Sequence, residues 1–252
     1  MRQETVTVLF EDDDVICVAK PAGTLTIPDR YDKRIPNLYH LLEDAYGKIF
    51  VVHRLDRETS GVVIFAKTPE AHRELNEQFL NQTVKKIYHA VLQGVVSRDE
   101  FDIDIPIAID PLVKGRSKPS ARGKESLSRV RVLERYRNAT LVEVDLVSGL
   151  HHQLRVHVSA IGHPLLIDDF YGTQTEFFVS SVKKRFNLKK HEEENPLIDR
   201  ITMHAYSAEF AHPTTQERIK VVADYPKDFA ALISVLRKYS TLKSFFARDE
   251  EE

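Results

Sequence analysis

The most informative stretch of the sequence is residues 51–61, which read VVHRLDRETSG and place Asp56 between Arg54 and Arg57. An apolar run, residues 62–66, follows at once and predicts a buried strand. A carboxylate between cations stays ionised, because nearby positive charge favours the charged form. Such a carboxylate can act as a covalent nucleophile, a general base or an electrostatic stabiliser. The alternative is a surface ion pair that caps the strand, since exposed pairs are common and weak.

Further motifs follow residues 51–61 along the chain. They are Lys86-x-Tyr88-x-Ala90 with Gly94; His152-Gln153-Leu154-Arg155-Val156-His157 with Gly162-His163-Pro164 and Phe170-Tyr171-Gly172; and Met203-His204-Ala205 with His212-Pro213. In this order, the motifs resemble the signature of the RluA-type pseudouridine synthases, which isomerise uridine to pseudouridine in structured RNA. The resemblance covers about residues 8–225, and four motifs in order are far more specific than one.

The mixture of helices and strands, without strict alternation, favours an α+β domain. The resemblance implies a sharper fold, the pseudouridine synthase fold: a long, mostly antiparallel mixed sheet flanked by helices and loops, with a central catalytic cleft. One catalytic domain is expected over residues 1–240, with residues 174–200 as an insertion or flap, and a C-terminal tail over 241–252. Many members of this family carry an N-terminal S4-type RNA-binding domain, which is expected to be absent here.

Local signals predict most of the individual elements. Helices are expected to begin near residues 36, 69 and 226, where a proline precedes apolar residues at helical spacing. A shorter helix that carries Arg155 is expected from the apolar stripe over residues 150–161. Runs of apolar and β-branched residues predict strands at residues 5–9, 15–19, 62–66, 87–92 and 141–146.

Composition limits the class of protein. The 252 residues carry a net charge of −2, with no apolar run of membrane-spanning length and no apolar signal region at the N-terminus. The single cysteine, Cys17, excludes an internal disulfide and a multi-cysteine zinc site. A cytoplasmic monomer without membrane contact is expected. Cations cluster between Lys114 and Arg137, which indicates either a local phosphate-binding face or a solvated loop and strand.

The resemblance assigns catalysis to Asp56, Tyr88 and Arg155. Arg155 is expected to pair bidentately with Asp56 and to hold its pKa down. Tyr88 is expected to stack on the uracil and to take part in proton transfer at C5. Substrate contacts are predicted for His53, Arg54, Leu55, Arg57, Thr59, Lys86, His152 and Gln153.

Three of these predicted contacts have more specific expectations. Arg54 is expected to fill the gap that an extruded base leaves in the RNA stack. Lys86 is expected either to reach a phosphate or to extend from a strand edge into solvent. His53 is expected to pack or to accept a hydrogen bond rather than to take part in the chemistry.

The sequence departs from the family at Gly149-Leu150-His151, where Gly-Arg-Thr or Gly-Arg-Ser is usual. The change removes a polar pair beside the substrate but leaves the catalytic arginine in place. No metal site is predicted, because His151, His152 and His157 lack the i, i+4 spacing of a helical zinc site. Since no phosphate-binding glycine loop or dinucleotide fingerprint is found, no nucleotide cofactor is predicted either.

These signals predict a cofactor-independent RNA pseudouridine synthase that acts on a stem-loop, with ribosomal RNA as the first target and tRNA as the alternative. Asp56 can attack C6 of the uracil, attack C1′ of the ribose or remove a ribose proton, and these routes stay open. One rival is a non-catalytic RNA-binding module on the same scaffold, against which the joint presence of Asp56, Tyr88 and Arg155 speaks. A nucleoside hydrolase is the other, but it needs an activated water and usually a metal.

Overall fold

One long sheet organises the chain, in a computed structural model that describes residues 6–187 and 193–242. The strands in these ranges are β1 (Thr7–Glu11), β2 (Val15–Lys20), β3 (Phe50–Val51), β4 (Ser60–Ala66), β5 (Lys85–Gln93), β6 (Glu100–Asp104), β7 (Ile107–Ile109), β8 (Ser117–Pro119), β9 (Leu127–Arg135), β10 (Ala139–Leu146), β11 (Met203–Ala211) and β12 (Arg218–Val222). Ten of them form the sheet, and β7 pairs with β8 as a separate hairpin.

The sheet is mixed but mostly antiparallel. Its main path has the spatial order β1-β2-β4-β11-β5-β10-β9-β6, with β3 beside β4 and β12 beside β11. Among the described strands, β4 and β11 pair in parallel and the remaining pairs are antiparallel. This architecture confirms the predicted α+β domain with a long, mostly antiparallel mixed sheet.

Helices α1 (Leu38–Tyr46), α2 (Pro69–Leu80), α3 (Gln153–Ala160) and α4 (Lys227–Tyr239) accompany the sheet. Helix α2 begins as predicted, because the Thr68 side chain accepts a first-turn backbone N–H and Pro69 occupies the first helical position. Helix α1 begins at Leu38, two residues after the predicted start at Pro36, because Asn37 caps the helix and Pro36 precedes this cap. Its end at Gly47, with a φ of 75°, agrees with the sequence.

The two central strands of the N-terminal half, β2 and β4, are buried on both faces. All seven residues of β4 are buried, which explains its continuous apolar run. On one face Val62 packs in a cluster with Leu75 of α2. On the other face Val63 packs with Leu38 of α1. The loop that carries Asp56 therefore leads directly into a strand that is buried on both faces.

The predicted insertion over residues 174–200 is largely irregular, with one short 3-10 turn at Val179–Ser181. Its buried residues Phe177 and Ile198 form an isolated β-bridge and share a core cluster with helix α4. Residues 188–192 of this segment lie outside the described residues, as do 1–5 and the tail from 243 to 252. No helix within the described ranges is both long and apolar enough to cross a membrane.

Candidate active site

Asp56 lies in the loop between β3 and β4, and the backbone on both sides of it is fixed. The backbone N–H and carbonyl of Leu55 both bond to the Thr26 hydroxyl at 3.2 Å. The Leu55 side chain is buried in the cluster beneath α1. On the other side, the Thr59 N–H donates to the Asp56 carbonyl at 3.1 Å. The Asp56 side chain is 24% exposed, so this fixed backbone presents an accessible carboxylate.

A buried lysine ties this loop to the neighbouring one. Lys20 ends β2, and its Nζ donates to the carbonyls of Pro21 at 2.9 Å, Thr24 at 2.7 Å and Arg57 at 2.8 Å. These three bonds use every proton of an ammonium group. Burial lowers the pKa of Lys20 to about 7, an effect that the nearby carboxylates of Glu58 and Asp56 oppose. Lys20 therefore holds the backbone beside Asp56 without facing the substrate.

His152 is the neighbour that approaches the Asp56 carboxylate. Its Nε2 lies 3.7 Å from Asp56 Oδ2, and its Nδ1 lies 2.9 Å from Tyr171 Oη. Burial lowers the pKa of His152 to about 4, although Asp56 opposes the shift, so the ring is neutral at pH 7. Because Arg155 Nη1 donates to Nε2 at 3.3 Å, we assign the remaining proton to Nδ1, which then donates to Tyr171.

The left-handed backbone of His152, with a φ of 56°, explains how its ring reaches Asp56. This conformation starts helix α3 at Gln153, three residues later than the first residue of the predicted apolar stripe. A non-glycine residue with positive φ is uncommon and costs free energy, and such strain is concentrated at functional sites.

Arg155 does not pair with Asp56, so that prediction was wrong. The Arg155 guanidinium binds Asp168 through two hydrogen bonds, Nε to Oδ2 at 2.8 Å and Nη2 to Oδ1 at 2.7 Å. Asp169 adds a second carboxylate at 3.5 Å. Burial alone would lower the pKa of Arg155, but the bonds to Asp168 raise it overall. Arg155 therefore acts on Asp56 through the charge that the two groups feel across space and through its hydrogen bond to His152.

Tyr88 lies in β5, half-buried between the two core clusters that meet at the centre of the sheet. Burial raises the pKa of its hydroxyl, and the charge of Asp56 adds to the rise. Tyr88 therefore keeps its proton at neutral pH. Lys86, two residues earlier on the same face, donates to the Ser148 carbonyl at 3.4 Å, and burial lowers its pKa.

Four of the predicted substrate contacts are part of the protein interior. His53 Nε2 accepts the Ile64 backbone N–H at 3.0 Å, and burial lowers the pKa of His53 to about 3. Gln153 uses both ends of its amide, on Ser148, Leu150, Leu127 and Ser128. Leu55 and Thr59 are buried. His53, Leu55 and Gln153 therefore support the site from inside the protein, whereas the buried hydroxyl of Thr59 has no hydrogen-bond partner among the described residues.

The two arginines that flank Asp56 differ in their surroundings. Arg54 is exposed on the loop. Arg57 is also exposed, but its Nε donates to the Gly23 carbonyl at 3.0 Å and lies 3.6 Å from Glu58. Arg54 is therefore the better placed of the two to reach into a substrate.

The β7–β8 hairpin brings basic residues up to the side chains of His151 and Tyr171 beside Asp56. The Ser117 N–H donates to Tyr171 Oη at 2.8 Å, and Ser117 Oγ lies 3.2 Å from His151 Nδ1. The Arg116 guanidinium stands 5.4 Å from the centre of the Tyr171 ring. The exposed cations of this hairpin and its flanking loops are Lys114, Arg122 and Lys124.

The cations of β9 differ from those of the hairpin because acidic partners neutralise two of them. Arg131 pairs with Glu143 at 2.8 Å, and Arg135 pairs with Asp99 at 2.7 Å. Two cations of the cluster over residues 114–137 are therefore already neutralised, whereas those of the hairpin and its flanking loops remain exposed.

An acidic cleft lies on another side of the Asp56 loop. It encloses about 610 Å³. Its charged lining consists of Glu58, Asp169, Asp199, Asp228 and Arg200. Arg200 itself is paired with Asp228 at 2.6 Å. Phosphates are repelled by such a lining, so an RNA backbone is expected to approach Asp56 from the hairpin instead.

Sequence patterns missed several residues of this site. Asp168 and Tyr171 lie in or beside a quoted motif. The available signal was the Asp168-Asp169 pair directly before the aromatic pair Phe170-Tyr171, and of the two acids Asp168 is the buried one. The spacing argument against a metal also has a gap. Asp56, His151 and His152 each offer one ligand atom, and these atoms all lie within 4.8 Å of one another. A helical i, i+4 criterion cannot detect ligands that come from two loops.

Comparison with known proteins agrees with this geometry. The family model described as RNA pseudouridylate synthase matches residues 14–160. The chain is 36% identical over 245 residues to an RNA pseudouridine synthase of Aquifex aeolicus, named as uncharacterized, covering 93% of this chain and 74% of that protein. It is also 36% identical over 252 residues to ribosomal large subunit pseudouridine synthase D of Neisseria meningitidis, which covers 97% of this chain and 64% of that protein.

Two further similarities concern function class and fold. The dual-specificity RNA pseudouridine synthase RluA of Vibrio parahaemolyticus is 34% identical over 215 residues, covering 82% of this chain and 78% of that protein. The solved structure of human RNA pseudouridylate synthase domain containing 1 superposes with a TM-score of 0.69 at 26% identity, covering 96% and 92%. With matches over nearly its whole length, the chain belongs to the RluA-type RNA pseudouridine synthases, a family of isomerases.

Proposed function

We propose that this protein converts specific uridines of ribosomal RNA to pseudouridine, with Asp56 as the catalytic carboxylate. The observation that carries the proposal is the partly exposed Asp56 carboxylate, held on a backbone that is fixed on both sides, beside the chain of contacts from His152 through Arg155 to Asp168. The reaction breaks the N1–C1′ bond of uridine, turns the uracil and rejoins it through C5, with no change of oxidation state. Attack at C6, attack at C1′ and removal of a ribose proton all need Asp56 ionised and fixed.

The remaining residues have supporting roles in this proposal. The Arg155–Asp168 pair fixes the position of the neutral His152 ring beside Asp56, and neither His152 nor Arg155 forms an ion pair with the Asp56 carboxylate. Because its raised pKa keeps the Tyr88 hydroxyl protonated at neutral pH, the residue has no phenolate to accept a proton, and its role is to stack on the uracil and to donate a hydrogen bond. Backbone phosphates contact the hairpin cations.

The choice of ribosomal RNA comes from the names of the relatives, several of which are ribosomal large subunit synthases. The dual-specificity relative keeps tRNA as the alternative target. Pseudouridine mapping in cells with and without the protein, followed by complementation with wild type and Asp56→Asn, tests both. Sites that return with wild type only identify the RNA, whereas unchanged maps in the deletion strain contradict the proposal.

Replacement of Arg155 by lysine should lower the single-turnover rate by at least about tenfold. Lysine keeps the charge but loses the fork that binds Asp168 through two bonds. The same change should destabilise the fold by about 2 kcal/mol, since breaking a buried pair is costly. Rates are measured by quenched-flow at saturating enzyme, with circular dichroism as the folding control. Asp168→Asn should act in the same direction, and wild-type rates in both variants would contradict the role.

Removal of three hairpin cations should weaken RNA binding and flatten its salt dependence. The triple change Lys114→Ala, Arg122→Ala, Lys124→Ala should reduce the slope of log K against log salt by about 2, because each lost phosphate contact removes released counterions. Binding is measured by filter retention from 50 to 300 mM salt, on the order of physiological strength. The matched control is Arg131→Ala with Arg135→Ala, whose cations already have acidic partners. Equal slopes for both variants would exclude the hairpin as the phosphate contact.

Arg54→Ala should impair reaction on a folded stem-loop by about tenfold more than on a flexible strand of the same sequence. The exposed Arg54 is proposed to fill the gap that the extruded uridine leaves, and extrusion costs a few kcal/mol from a stacked helix but less from an unstacked strand. Single-turnover rates on the two RNAs are compared side by side. Equal losses would leave Arg54 with phosphate binding only.

A further inference from the structure

Three potential metal ligands converge at the catalytic loop. One ligand atom from each of Asp56, His151 and His152 lies within 4.8 Å of the other two. His152 Nε2 is 3.7 Å from Asp56 Oδ2, and the rings of His151 and His152 stack with centroids 3.8 Å apart.

The donor set suits a divalent transition ion. Two imidazoles and one carboxylate form the kind of three-ligand group that binds Zn²⁺ and leaves a fourth position for water. With bonds of about 2.0–2.2 Å, tetrahedral ligand atoms stand about 3.3 Å apart, so the three ligand atoms have to move closer together. Because the two rings are nearly parallel, with an angle of 21° between them, one imidazole also has to turn before both lone pairs can reach one ion. His151 is exposed, which leaves it room to move. Mg²⁺ and Ca²⁺ prefer oxygen ligands and fit this set poorly.

Both imidazoles have hydroxyl partners behind them. Nδ1 of His152 lies 2.9 Å from Tyr171 Oη, and Nδ1 of His151 lies 3.2 Å from Ser117 Oγ. Partners of this kind orient metal-binding histidines. The Nε2 atom of His152 faces Asp56 and accepts a hydrogen bond from Arg155 Nη1 at 3.3 Å, which the ion would replace. Ser117 of β8 links the two partners, because its hydroxyl contacts His151 and its backbone N–H donates to the Tyr171 hydroxyl.

The surrounding charge admits a cation. Arg155 is the cation nearest to His152, but Asp168 binds it bidentately and Asp169 lies 3.5 Å from it. Arg54 also acts on His151, but it lies on the exposed side of the loop and is free to turn toward solvent. Counting Asp56, three carboxylates oppose these two guanidinium groups.

We propose that Asp56, His151 and His152 form a Zn²⁺-binding site, and that the bound ion inhibits the enzyme by occupying the catalytic carboxylate. Inhibition rests on the function proposed for Asp56, whereas binding does not. The ion here is a reversible inhibitor and takes no part in the isomerisation.

Binding is tested first, on the full-length, chelator-treated protein. Titration with Co²⁺, a spectroscopic substitute for Zn²⁺, should give a visible absorption band that saturates at one ion per chain. Competition with Zn²⁺ should abolish the band. His151→Thr should weaken binding at least tenfold, while His40→Gln on helix α1 serves as the control for general histidine binding. Equal binding by wild type and His151→Thr would overturn the site.

Inhibition is tested as a ratio of single-turnover rates with and without Zn²⁺, measured within each variant. The wild-type ratio should fall at least tenfold and recover with EDTA, while His151→Thr should show a smaller fall. Saturable binding with an unchanged wild-type ratio would overturn the inhibitory role. Absence of pseudouridine formation in every metal-free sample would instead contradict the proposed function and leave the Co²⁺ result standing.

Discussion

Asp56→Asn should reduce pseudouridine formation by at least about a thousandfold while RNA affinity stays within about tenfold of wild type. The amide has almost the shape of the carboxylate, so the fixed loop around Leu55 and Thr59 should be preserved. What is lost is the negative charge, without which the residue can neither attack carbon nor accept a proton. Affinity should survive because phosphate contacts lie elsewhere, on the β7–β8 hairpin.

The measurement combines single-turnover rates with direct binding to the same RNA. Asp13→Asn, in the exposed turn between β1 and β2, removes an equal charge and should keep the wild-type rate. Asp56→Glu retains the charge but moves it by one methylene, so it should also be strongly impaired. Substantial turnover by Asp56→Asn would remove Asp56 from the chemistry and revive the non-catalytic alternative.

Gly61→Ala should destabilise the fold by about 3 kcal/mol or more, a large share of the stability of a typical domain. Gly61 has a φ of 122°, and a Cβ built on it would stand 2.1 Å from the carbonyl oxygen of Ala205. That contact lies in the parallel pairing of β4 with β11, five residues after Asp56. Neither strand can retreat, because both are buried within the sheet.

Urea denaturation followed by circular dichroism measures this loss. Gly47→Ala is the matched control, since Gly47 also has a positive φ of 75° but no atom lies within 4 Å of its added Cβ. The control should lose about 1–3 kcal/mol from backbone strain alone, because a φ of 75° with a ψ of −148° is a conformation that few residues other than glycine adopt. Equal losses in the two variants would show that the strand pairing at Gly61 has room for a methyl group.

Much of the fold could be predicted because its signals are local. The cap at Thr68, the proline at 69 and the end of α1 at Gly47 depend on a few adjacent residues, and they are found as expected. The apolar run of β4 likewise reports its own burial. The position of strand β11 between β4 and β5 could not be predicted in this way, since it depends on residues more than a hundred positions apart.

The sequence predicted which residues lie in the site, but not which of them bind one another. Family motifs brought Asp56, His152 and Arg155 together, yet the carboxylate that Arg155 binds is Asp168. Which of several acids a buried arginine binds is decided by the packing of loops from distant parts of the chain. His53 accepts a hydrogen bond from the Ile64 N–H, in agreement with the expectation that it packs or accepts a bond. Its predicted contact with the substrate could not be checked against this partner from the sequence alone, because Ile64 lies on a different element.

The position of β11 also has a consequence for how the active site comes into being. Asp56 precedes β4 and Tyr88 lies in β5, and β11, residues 203–211, is the strand that separates these two in the sheet. Pairings so distant in sequence form slowly, and a nascent chain emerges from its N-terminus. The site should therefore assemble late in synthesis. A chain that ends before residue 203 would leave facing edges of β4 and β5 open, and unpaired edges invite aggregation.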